Sequence, residues 1–130
     1  MAQAPIIRVD LDSAVPVQHQ IVDSLRVLLV EGVLTPGASL PSVRRLAMEL
    51  GVHFNTVAQA YRELASEGWI DLKHGRGAEV LERASAPATR EQVADFRSQL
   101  RQMIARMRAE GISTARIAAE LRAMAEAVSQ

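Results

Sequence analysis

Ala47, Gly51 and Val57 stand four and then six residues apart, between an apolar stripe that begins at Val43 and another that ends near Arg62. Each position has a physical reason. An alanine lets two helices cross closely, a glycine carries the chain through a left-handed turn, and a β-branched residue locks the second helix onto the first. Any one of the three is common, but set inside two correctly phased helical stripes they restrict this stretch to a helix-turn-helix.

The flanking sequence extends the pattern. Pro41 and Ser42 open the first of these helices, with Ser42 as its cap and Val43, Leu46, Ala47 and Leu50 as its buried stripe. The second runs from about Phe54 to Ser66, turns Val57, Ala60, Tyr61 and Leu64 inward, and stops at Gly68. Upstream, Ile7, Val9 and Leu11 alternate with Arg8, Asp10 and Asp12, which predicts a short half-buried strand. Pro16 then starts a helix whose face carries Ile21, Leu25, Leu28 and Leu29 as far as Glu31; Gly32 ends it, and Thr35-Pro-Gly37 is a turn. Downstream, Trp69, Ile70 and Leu72 form an apolar strand, His74-Gly-Arg-Gly77 a turn, and Ala78, Val80 and Leu81 the returning strand. Three helices followed by a β-hairpin is the order of a winged helix-turn-helix. The expected fold is therefore mainly α with a small β-hairpin.

A small-residue stretch with one proline, Arg83-Ala-Ser-Ala-Pro-Ala-Thr89, separates this half from a differently built one. The reading is a winged domain over 1–83, a linker over 84–89 and a helical tail over 90–130. In the tail Thr89 and Gln92 resemble a capping box, and Val93, Phe96, Leu100, Met103 and Met107 recur at heptad-like spacing up to Gly111. Ser113 caps a second helix with Ile117, Leu121, Met124 and Val128 in the same rhythm. Two helices of this size have too little area for a core of their own, so their seams need another surface. A second copy is the economical partner, and the expected state is a homodimer joined through a two-helix dimerisation tail.

The 130 residues contain no cysteine, which removes disulfides, thiolate zinc sites and a cysteine nucleophile. The longest apolar run, 27–30, is far too short to cross a bilayer, and residues 1–12 show no basic-then-apolar leader, so the expected location is cytoplasmic with no membrane partner. Fifteen basic and fifteen acidic side chains give no global positive footprint, so any contact with nucleic acid must come from local placement. His19, His53 and His74 fall on separate elements, and no catalytic or metal-binding spacing is evident. The expectation is no enzyme, no metal and no cofactor. The four internal methionines and the aromatics Tyr61 and Trp69 read as packing rather than as stacking platforms.

The motifs Pro16-Val-Gln-His-Gln-Ile21, Leu34-Thr-Pro-Gly37, Leu40-Pro-Ser-Val-Arg-Arg-Leu-Ala47, Leu50-Gly-Val52, Asn55-Thr-Val57, Ala60-Tyr-Arg-Glu-Leu64, Glu67-Gly-Trp-Ile70 and Gly75-Arg-Gly77 resemble the N-terminal domain of the GntR family of bacterial transcription regulators over about residues 9–81. Only 47 residues follow residue 83, too few for the large C-terminal domains of many members. The chain therefore resembles the short YtrA-type branch. That resemblance implies a small helical dimerisation tail, frequent control of transporter operons, and often no known ligand.

On the second helix of the motif, the face opposite Val57, Tyr61 and Leu64 presents Asn55, Ala58, Gln59 and Arg62, spaced for entry into a major groove. The amides of Asn55 and Gln59 suit adenine, and Phe54 or Ala58 can meet a thymine methyl. Gln59 and Arg62 are also read as a solvated face, with Arg62 against Glu63 or a phosphate. Thr56 either donates to a phosphate or helps to cap the helix. His53 holds the cap position, where its capping is expected to be weak. Arg44 matches a family arginine that touches DNA, and Arg45 beside it points about 100° away, to surface or phosphate. Lys73, His74, Gly75 and Arg76 match the family's wing tip, which lies along the minor groove and backbone; an exposed turn is the other reading of His74.

The expected function is a sequence-specific regulator of transcription, most simply a repressor, on a near-palindromic operator with half-sites about 10 bp apart or a multiple of that. The alternative is a winged-helix adaptor whose same face docks protein. The sequence shows no recognisable effector pocket.

Overall fold

The computed structural model describes residues 6–73, 77–83 and 86–129. The chain divides into two compact units, residues 1–83 and 84–130. In the first unit, α1 (Val17–Val30) begins after Pro16, whose carbonyl accepts from the Gln20 amide, and ends at Glu31 and Gly32. It buries Ile21, Val22, Leu25 and Leu29. Helix α2 (Val43–Leu50) starts where Ser42 Oγ accepts from the Arg45 amide at 3.1 Å and ends at Gly51, whose φ of 68° is the left-handed turn the motif required. Helix α3 (Phe54–Ser66) buries Val57, Ala60, Tyr61 and Leu64 against α1 and α2. Arg26 on α1 grips the Glu67 carboxylate beyond the end of α3 with two hydrogen bonds, the shorter 2.7 Å.

The wing is a three-stranded antiparallel sheet rather than the two-stranded hairpin the sequence predicts. β1 (Ser39–Leu40) and β2 (Ile70–Lys73) flank β3 (Gly77–Val80), with Leu40 opposite Ala78 and Ile70 opposite Val80. The Gly37 amide donates to Val80 O and the Val80 amide to Ala38 O, both at 2.8 Å, so the chain just after the first turn joins the ladder. A two-residue strand has no period to betray it in sequence. Trp69 and Leu81 lie just beyond the strands and are joined by one backbone hydrogen bond. Arg83 places its guanidinium 4.5 Å above the Trp69 ring and donates to Glu67 O.

The strand predicted at Ile7 to Leu11 is absent: Ile7 is buried and Val9 half-buried, but Leu11 is 60% exposed and the segment has no strand partner. The amide of Gln20 replaces the ladder. Its Oε1 accepts from Asp10 N at 2.7 Å, and its Nε2 donates to Asp10 O at 2.9 Å and Val15 O at 2.8 Å. A side chain satisfies backbone groups that an adjacent strand would otherwise pair.

In the second unit, Thr89 and Gln92 form the reciprocal capping box: Thr89 Oγ1 accepts from Gln92 N, and Gln92 Oε1 accepts from Thr89 N. Helix α4 (Arg90–Ala109) follows, then a turn through Gly111 at φ 94°, and α5 (Thr114–Ala127), capped by Ser113. The bulky apolar side chains that are covered cluster near the turn, with Ile117 buried and Ile104, Met107 and Ile112 half-buried. Ile117, expected on the intermolecular seam, is thus already covered in the single chain. Val93, Phe96, Leu100, Met103, Leu121, Met124 and Val128 stay exposed. Among the described residues no helix is long and apolar enough to cross a membrane.

Candidate nucleic-acid interface

Three elements meet on one side of the first unit: the start of α2, the outer face of α3, and the strands β2 and β3. Between them lies a cleft of about 620 Å³. Ser42, Val43 and Arg44 line it from α2; Phe54, Ala58, Tyr61 and Arg62 from α3; Leu72, Lys73 and Gly77 from the wing. The structure therefore brings together Arg44, Phe54, Ala58, Arg62 and Lys73 of the residues singled out in sequence for contact with DNA. Asn55 and Gln59 are exposed on the same helix outside the cleft lining.

The arrangement follows from local chemistry. The imidazole of His53 caps α3 after all, its Nδ1 accepting from the Asn55 amide at 3.0 Å. That bond needs a lone pair on Nδ1, so the proton of the neutral ring sits on Nε2. The cap position is thereby filled, and the Thr56 hydroxyl is left without a hydrogen bond among the described residues. Arg44 lies in the first turn of α2, exposed, and neither it nor Arg62 has a carboxylate within ion-pair distance among the described residues. Arg45 is turned along its own helix, Nε 2.9 Å from Glu49 Oε1. The two neighbouring arginines consequently differ: Arg44 offers an unoccupied fork, while Arg45 is already partly neutralised.

Lys73 is less free than its sequence position suggests. Asp71 and Glu79 oppose each other across β2 and β3, an unfavourable pair of like charges, and Lys73 Nζ lies 3.6 Å and 3.4 Å from them. The hydrogen bond to Glu79, with the charge of both carboxylates, raises the Lys73 pKa above its ordinary value and keeps it cationic. Its role within the wing is to bridge two anions, and a phosphate would have to share it. His74, Gly75 and Arg76 lie outside the described residues. Arg83 is engaged with Trp69 and Glu67, away from this lining.

Sequence reasoning missed Leu72 and Gly77. Leu72, which the sequence marks only as part of an apolar strand, is 42% exposed and lines the cleft together with Phe54, 47% exposed. The cationic rim suits the phosphates of a nucleic-acid backbone, and the apolar floor suits the C–H faces of its sugars. Gly77 has φ +80°, and a Cβ there would stand 2.8 Å from Leu40 O. Only glycine allows the wing to approach α2 so closely.

Known proteins share this architecture. The family described as bacterial regulatory proteins, gntR family, matches residues 17–80. The HTH-type transcriptional repressor YtrA of Bacillus subtilis (strain 168) is 36% identical over 99 residues, 76% of each chain. Among solved structures, YtrA from Sulfolobus acidocaldarius, a GntR-family transcription factor, superimposes with a TM-score of 0.57 at 34% identity, covering 95% of this chain and 100% of that one. A transcriptional antiterminator from Listeria monocytogenes EGD-e shares the fold with a TM-score of 0.71 at 24% identity, covering 98% of this chain and 96% of the other.

Proposed function

Since the chain belongs to the GntR family of DNA-binding bacterial transcription regulators, we propose that it acts in the cytoplasm as a homodimeric repressor on a near-palindromic operator. The observation that carries this reading is the cleft in which Arg44 and Arg62, with no ion-pair partner among the described residues, converge with the wing. Arg44 forks onto guanine or phosphate at the start of α2 while the exposed Asn55 and Gln59 read base edges from α3. Lys73, together with His74, Gly75 and Arg76, which match the family's wing tip in sequence, follows the backbone beside the minor groove. His53, Phe54, Thr56 and Arg45 complete the phosphate and apolar contacts around them.

Dimerisation rests on the uncovered seam of the tail. Val93, Phe96, Leu100 and Met103 on α4, with Leu121, Met124 and Val128 toward the end of the chain, are bulky apolar side chains in heptad-like rhythm left in water by a single chain. Exposed bulky apolar side chains in such a rhythm fit an association site. Met107 and Ile117 support the seam from beneath. Two heads related by a twofold axis then engage two half-sites, and each binding event raises the effective concentration for the other. The YtrA-type resemblance makes a transporter operon the target class.

Footprinting over the DNA upstream of the protein's own gene tests this, combined with sedimentation of the complex. A protected inverted repeat carrying two protomers is expected. Protection of no segment would support a protein-docking adaptor instead.

A further inference from the structure

We infer that the Tyr61 hydroxyl is the positioning group that holds Arg44 in register with the DNA-facing side of α3, acting through Pro41. The inference rests on the proposal that this face binds duplex DNA. Three residues, Leu40, Pro41 and Ser42, lead into α2, and each is fixed from a different direction. Leu40 pairs with Ala78 of β3. Ser42 holds the first turn of α2 through its Oγ on the Arg45 amide and its carbonyl on the Leu46 amide at 2.9 Å. Between them the Pro41 carbonyl accepts a 2.7 Å hydrogen bond from Tyr61 Oη.

Among the described residues that bond is the one side-chain hydrogen bond from α3 to α2 or its lead-in. The rest of the contact between the two helices is apolar packing, to which this bond adds a directional constraint. Tyr61 is suited to the task. Tyr61 is buried in the core yet is one of the residues lining the cleft, and burial, with the Glu49 charge adding to it, raises the phenol pKa and keeps it a donor. Gly77 closes the junction from the wing, near enough to Leu40 O and Ser42 N that no side chain fits. Arg44 follows three residues after Pro41, which accepts the shortest side-chain bond of this junction. A guanidinium fork is directional, so a small rotation of the first turn of α2 is felt in base recognition more than in non-specific attraction.

The test is a double-mutant cycle of Tyr61→Phe with Arg44→Ala, read on a duplex enriched by the wild-type protein and on a random duplex. Tyr61→Phe should lower operator affinity about three- to tenfold, the range that one hydrogen bond spans. It should leave random-duplex affinity within about twofold, and add nothing once Arg44 is alanine. Gly77→Ala, which pushes on Leu40 O from the other side, should give the same pattern. Losses that multiply in the double variant, or that fall equally on both duplexes, overturn the inference and leave Tyr61 as a packing residue. A wild-type protein that enriches no duplex removes the DNA reading itself; normal wild-type binding with an unaltered Tyr61→Phe removes the positioning role alone.

Discussion

The two units are built from similar helices and finish differently. In the first, α1, α2 and α3 hide Ile21, Leu25, Leu46, Val57 and Leu64 completely. In the second, α4 is the longest helix of the chain at 20 residues and has the most complete cap, yet it buries nothing. Capping and propensity are enough to define where a helix begins and ends, but most of its stability in a protein comes from a covered apolar face. One unit supplies that cover from its own chain. In the other, Phe96 and Met124 remain 64% and 61% exposed.

The sharpest way to break this contrast is at the seam. Leu100→Glu combined with Leu121→Glu should yield a monomer by sedimentation and lower operator affinity by about a hundredfold or more, because the second head no longer binds intramolecularly. The unfolding of the first unit should not change. A double variant that stays dimeric would show that the seam lies elsewhere. A second comparison is internal to the two cores. Leu25→Ala should cost about 2–5 kcal/mol in denaturant unfolding, whereas Phe96→Ala placed in the monomeric variant should cost within about 0.5 kcal/mol. Equal costs would mean that the tail has a core of its own.

Within the first unit the cleft separates its cations by what surrounds them. Arg44→Ala should cost about 1–3 kcal/mol on the operator and relax its sequence preference. Lys73→Ala should weaken operator and random DNA alike, and Glu79→Gln, which frees Lys73 from one carboxylate, should strengthen random binding slightly. Matching affinities on both duplexes for Arg44→Ala would place the reading face elsewhere.

The smallest effect appears only in alkali. Burial first, and the Glu49 charge second, raise the Tyr61 pKa above the ordinary value near 10. The unfolded chain then releases this proton before the folded one does. The resulting stability is fully present below about pH 10 and lost as pH climbs from there toward the folded value. Tyr61 is the chain's one tyrosine, so phenolate absorbance is a single-site reporter. It should appear only as the first unit unfolds, and Tyr61→Phe should abolish the slope; a phenolate forming in the folded protein at its ordinary pH would contradict the buried hydrogen bond.

What could be read from sequence was what local chemistry decides. Ser42, Thr89 with Gln92, and Ser113 cap the helices expected of them, and Gly51 and Gly111 turn where expected. What could not be read depends on partners distant in the chain. Alternation at Ile7 to Leu11 looks like a strand until Gln20 takes its backbone groups. Ser39 and Leu40 become a strand only because β3 lies beside them. Lys73 looks like a free phosphate ligand until the β2–β3 register sets Asp71 against Glu79. His53 seems a poor cap by residue type, but its ring nitrogen reaches the Asn55 amide. In the cleft, Arg62 was legible from helical phase and Arg44 from the family resemblance, whereas Leu72 required knowing where the core ends.

The central claim is that two DNA-reading heads are held in register by the tail, and selection of bound sequences from random duplexes by the intact protein tests it most directly. The account predicts an enriched inverted repeat with half-site centres about 10 bp apart or a multiple of that. Enrichment of a single unrepeated half-site, or of no sequence at all, would contradict it.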